Sequence, residues 1–67
     1  LRDHLEAALD RLPEAQAAVV ILKDVQGWSH EEIANALGIS VSASKVRLHR
    51  AHLRLRRVLA AQDEDEA

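Results

Sequence analysis

The sequence predicts an all-α protein, a compact four-helix domain, and three observations carry that prediction. Its apolar residues recur three and four positions apart and nowhere alternate, which is the period of helices and not of strands. Pro13, Gly27 and Gly38 interrupt the chain at the points where those periodic runs begin or end. Ser29 and Glu32 stand three residues apart immediately before an apolar run, the spacing of a capping box that opens a helix.

Each helix is justified by its own stripe and punctuation. Leu5, Ala8, Leu9 and Leu12 fall at i, i+3, i+4 and i+7, so the first helix is expected over residues 2–11. Pro13 is expected at the first helical position of the second, where its missing N–H costs nothing, and Glu14 beside it suits the positive end of the helix dipole. From there to Val25 the residues Ala15, Ala17, Ala18, Val19, Val20, Ile21, Leu22 and Val25 leave little polar face, so this helix is expected to be the most enclosed. Gly27 then supplies the left-handed residue that ends it.

In the third helix Ser29 and Glu32 each satisfy a backbone donor near the other, while Trp28 and Ile33 occupy the two positions of a hydrophobic staple. The single aromatic residue therefore has a structural task. Ile33, Ala34 and Leu37 are expected to face inward, Gly38 to end the helix, Ile39 to plug the turn and Ser40 to cap the fourth helix. That helix is expected over residues 41–61 with a core stripe of Val41, Ser44, Leu48, Ala51, Leu55 and Val58. Residues 1–61 read as the domain, and residues 62–67 as an acidic tail that frays for want of an apolar anchor.

Composition bounds the possibilities. A chain of 67 residues with no cysteine and no methionine is one small domain, and at this size about 60% of the unfolded surface is buried, so the aliphatic core is thin. It begins at Leu1 and reads as a piece of a longer protein. No signal peptide is evident and no apolar run approaches the roughly 20 residues that span a bilayer, so a cytoplasmic location without membrane insertion is expected. The net charge of −2 conceals segregation. Residues 1–44 hold three Lys/Arg against seven Asp/Glu, residues 45–57 hold six Lys/Arg and no acid, and residues 63–66 are all acidic. One strongly cationic element inside an acidic protein is the pattern expected where a single helix meets a polyanion.

Two helices joined by a short glycine turn, with small Ala34 where they cross and hydrophobic residues at 33, 37 and 39, make a helix-turn-helix. At about 100° per residue, and with Leu48 inward, Ser42, Ala43, Val46, His49, Arg50 and Leu53 point outward, while Lys45 and Arg47 flank them on opposite sides. That layout puts base contacts in the middle and phosphate contacts at the edges. Arg50 suits a guanine edge, Ala43 and Val46 suit thymine methyls, and the free N–H groups after Ser40 suit a phosphate. The candidate DNA-binding residues are thus Ser40, Ser42, Ala43, Lys45, Val46, Arg47, His49 and Arg50.

An enzyme is not expected, because no nucleophile, paired carboxylates or phosphate-cradling loop is present. His49 and His52 lie three apart, but no thiolate or carboxylate follows at a useful spacing, so no metal or other cofactor is expected and solvated or phosphate-facing histidines are the default.

The run LPEAQAAVVILKDVQGWSHEEIANALGISVSASKVRLHRA, residues 12–51, closely resembles region 4 of bacterial sigma factors, in particular the compact extracytoplasmic-function group. The resemblance covers about residues 5–60. It rests most on Leu12-Pro13, on the block from Gly27 to Ala34, on LGIS, and on K-x-R-L-H-R-A from Lys45 to Ala51. It implies that the fourth helix reads the minus-35 promoter element in the major groove of duplex DNA, that the domain docks on the beta flap of RNA polymerase core, and that an anti-sigma factor binds it.

Members of that family usually carry glycine, threonine and valine before the lysine and a small polar residue after it. Here Ser42, Ala43, Ser44 and Val46 stand instead, with a polar side chain in the core stripe and an apolar one outside. Ser44 is expected to bond back to the Ser40 carbonyl, and Ser44→Val to stabilise the domain by about 1 kcal/mol through added apolar burial. A LuxR-type regulator output domain is the nearest rival, sharing the scaffold and turn but lacking the L-H-R-A continuation. A protein-interaction module whose fourth helix binds an acidic partner is the other.

Overall fold

The computed structural model describes the backbone of residues 2–66 and the side chains of residues 3–62. Four helices follow in order: α1 (Arg2–Asp10), α2 (Glu14–Val20), α3 (His30–Leu37) and α4 (Val41–Glu66). A π-helical turn, Ile21–Val25, extends α2. Helix α4, 26 residues long and so about 39 Å at 1.5 Å per residue, spans nearly the whole 41 Å long axis of the molecule. The other helices pack along it.

The expected stripes form the core. Ala8, Leu9 and Leu12 from the α1 segment, Val19 and Val20 from α2, Ile33 and Ala34 from α3, and Ala51 from α4 are buried. Leu5, Leu48, Leu55 and Val58 pack against the cluster of Leu9, Leu12, Val20 and Ala51. Ser44 is 0% exposed, which establishes the register read for α4.

Local chemistry sets the helix ends. Glu32 N–H donates to Ser29 Oγ at 3.1 Å and Ser29 N–H to Glu32 Oε1 at 2.9 Å, the reciprocal capping box. Hydrogen bonding from Ser29, its backbone N–H foremost and its side chain second, holds the Glu32 carboxyl below the usual range. Gly38 adopts φ 67°, and Ile39 N–H reaches back to the Ala34 carbonyl at 3.0 Å, closing α3 in a left-handed turn. Ser40 Oγ then accepts from Ala43 N–H at 3.0 Å and opens α4.

Several expectations are corrected. Pro13 is the N-cap of α2 (φ −53°, ψ 143°), its carbonyl accepting from Gln16 and Ala17, and not the first helical residue. The second helix does not run regularly to Val25. Gln26 N–H bonds to the Ile21 carbonyl five residues back, the widened spacing of a π turn, and Trp28 N–H closes the end on the Leu22 carbonyl across Gly27 at φ 75°. This rotates the end of the element outward and leaves Val25 64% exposed, so the helix is not enclosed throughout. Leu37, expected inward, is also exposed, at 36%.

The Ser44 hydroxyl pairs with His30 Nδ1 at 2.8 Å rather than with Ser40. With the imidazole proton on Nε2 the hydroxyl donates; with it on Nδ1 the ring donates. This bond links the first turn of α3 to α4 across the helix-turn-helix. Finally, α4 continues past the expected end at Ala61 as far as Glu66, since no glycine or proline stops it. The side chains of the acidic residues 63–66 lie outside the described residues.

Candidate nucleic-acid interface

The candidate residues occupy the first three turns of α4 and the cap before them. Ser40, Ser42, Lys45, Val46, His49 and Arg50 are exposed, whereas Ala43 and Arg47 are half-buried. The half-burial has a structural origin. A cleft of about 350 Å³ opens between the start of α2 and the side of α4, with Pro13, Ala15 and Gln16 on one wall and Ala43, Arg47 and Arg50 on the other. The expected outward direction of Ala43 is therefore corrected: it turns toward this cleft, because α2 crosses near the start of α4.

Charge on this face is uncompensated within the described residues. No ion pair or hydrogen bond engages Lys45, Arg47 or Arg50. Among the described residues, His52 Nε2 hydrogen-bonds to Asp24 Oδ2 at 2.5 Å and ties the π turn to α4. Sequence reasoning left His52 solvated or phosphate-facing; its partner stands 28 residues away and no local pattern announces it. The Gln16 side chain was likewise missed. Its Oε1 is buried without a hydrogen-bond partner, and it lines the cleft beside the two arginines. Among the described residues no group of three or more His, Cys, Asp or Glu is placed to hold a metal ion, and no helix is long and apolar enough to cross a membrane.

A left-handed glycine turn between two short-connected helices, with the second presenting bare cations along one exposed face, defines a helix-turn-helix domain. Comparison with known proteins narrows the class: the family model for Sigma-70, region 4 matches residues 2–59, and the chain belongs to that family. The match decides against the LuxR-type reading. Similar curated proteins include the ECF RNA polymerase sigma factor SigE of Mycolicibacterium smegmatis, 41% identical over 63 residues that cover 94% of this chain and 24% of that protein. RNA polymerase sigma factor CarQ of Myxococcus xanthus is 44% identical over 59 residues, 88% of this chain and 34% of its own length. RNA polymerase sigma factor YlaC of Bacillus subtilis is 39% identical over 62 residues, 92% of this chain and 36% of its own length. The chain thus spans between a quarter and just over a third of these relatives. No solved structure matches it.

Proposed function

We propose that this chain is the promoter-reading domain of an RNA polymerase sigma factor of the extracytoplasmic-function group, a non-catalytic module that works in the cytoplasm. In this reading α4 enters the major groove of the minus-35 element. The observation that carries it is the exposed, unpaired Lys45 and Arg50 on the second helix of a helix-turn-helix within the Sigma-70, region 4 family.

Ser42, Val46, His49 and Arg50 face the base edges, with Ala43 at their margin. Lys45, Arg47 and the free N–H groups that follow Ser40 take phosphates. RNA polymerase core, engaged through its beta flap, aligns the domain on the promoter. An anti-sigma factor is the further partner, and the exposure of Val46 (48%) and Leu53 (40%) on the outer face of α4 favours a second, protein-binding use of that surface.

Binding of promoter duplex by polymerase carrying the complete sigma factor tests the proposal. Arg50→Ala is expected to cost about 1–3 kcal/mol on the cognate minus-35 sequence and to relax selectivity at one base pair. The contribution of this domain to the salt slope of log K is expected to be about −3, from three or four neutralised phosphates. Binding indifferent to both the minus-35 sequence and Arg50 would leave the protein-only use of α4 as the function.

A further inference from the structure

We propose that Gln16 is a positioning residue for Arg47: its side-chain oxygen takes the guanidinium across the cleft and holds it at the rim, where a DNA phosphate passes. The inference rests on the reading of α4 as the DNA-facing helix and adds to it an element, α2, that lies outside the helix-turn-helix.

Four observations lead to it. Gln16 Oε1 is shut off from solvent and has no hydrogen-bond partner, a state that buried polar atoms in folded proteins rarely keep. An amide oxygen only accepts, so what it lacks is a donor. Of the side chains that share the cleft with it, Pro13, Ala15, Ala43 and Val46 carry no donor, which leaves Arg47 and Arg50. Arg50 is exposed, whereas Arg47 is half-buried and lines the same cleft, so of the two Arg47 is the donor better suited to a buried oxygen.

The chemistry suits the task. A guanidinium has five N–H donors in a rigid fork, so one edge can dock on Gln16 while another faces a phosphate. No acid engages Arg47 among the described residues. A neutral acceptor therefore orients the side chain and leaves intact the full positive charge that a phosphate requires, which a carboxylate at the same place would cancel.

The experiment uses RNA polymerase holoenzyme containing the complete sigma factor and measures promoter affinity against salt concentration for the wild type, Gln16→Met, Arg47→Ala and the double variant. Methionine keeps the length of glutamine and removes the acceptor. Arg47→Ala is expected to weaken binding on every promoter sequence and to reduce the salt slope by about one. Gln16→Met is expected to weaken binding roughly threefold to tenfold, with a shallower slope. The double variant is expected to bind no worse than Arg47→Ala alone. Gln16→Met binding like the wild type while Arg47→Ala binds weakly would overturn this inference and spare the DNA reading. Losses that multiply in the double variant would overturn it as well. If neither Arg47→Ala nor scrambling the minus-35 sequence alters affinity, the DNA reading fails and takes this inference with it.

Discussion

Replacing Ser44 by valine sets sequence and structure against each other. On sequence grounds alone, a polar residue in the core stripe of α4 invites an apolar substitute, and a gain of about 1 kcal/mol is expected. The structure reverses the sign. Ser44 is 0% exposed, so its side chain is already out of water; valine puts one methyl where the hydroxyl stood and adds a second, together at most about 1.6 kcal/mol of transfer free energy. Against that stands the hydrogen bond to His30 Nδ1 at 2.8 Å, worth about 0.5–1.5 kcal/mol, with a further penalty if the ring nitrogen stays dry. The larger side chain must also push into a fully enclosed site, at about 1–3 kcal/mol for an overpacked core.

The balance is a net loss of about 1–2 kcal/mol, which in a domain of this size lowers the melting temperature by roughly 5–15 °C. Thermal and urea denaturation of Ser44→Val and Ser44→Ala measure it. A double-mutant cycle with His30→Ala isolates the shared bond, with an expected coupling of about 0.5–1.5 kcal/mol. A Ser44→Val protein that melts at or above the wild type, or strictly additive effects of Ser44→Ala and His30→Ala, would refute the reasoning.

Two further outcomes are expected. Because hydrogen bonds with Ser29 lower the folded-state pKa of Glu32, the folded domain binds fewer protons than the unfolded chain in that range. The Glu32 contribution to stability is therefore complete above the ordinary glutamate value of about 4.3, and it is lost as the pH falls through the lower folded value. Ser29→Ala keeps the backbone donor and removes only the lesser, side-chain bond, so it should return Glu32 part of the way toward the ordinary range and partly flatten this acid limb; an NMR titration of the Glu32 carboxyl that does not move at all on substitution would contradict a side-chain contribution. As for the acidic run, a helix continuous to Glu66 puts residue 63 about 20 Å beyond Arg50 along the axis, more than two Debye lengths at physiological salt. Deleting residues 63–66 should tighten DNA binding near 0.01 M salt and leave it unchanged near 0.15 M; tightening that persists at the higher salt would mean that the run reaches the DNA face.

What the chain determined by itself is everything that acts within one helical turn or along one helical face. The capping box of Ser29 and Glu32, the left-handed stop at Gly38 and the Ser40 cap each involve residues three to five apart, and such bonds form wherever the local sequence permits them. The stripe through Ser44 and Ala51 and the cationic block from Lys45 to Arg57 follow from a fixed 100° rotation per residue, which is why the fold class and the charged face are legible without coordinates.

Tertiary structure decided the rest. The His30 to Ser44 bond spans 14 residues and the Asp24 to His52 pair spans 28. The cleft that brings Gln16 beside Arg47 exists only because α2 crosses the start of α4. The π turn at Ile21–Val25 likewise has no signature in an apolar run that a regular helix fits equally well. Periodicity specifies which face of a helix is buried; which partner meets each polar atom on that face depends on how the helices cross, and that is fixed by the packing of the whole core.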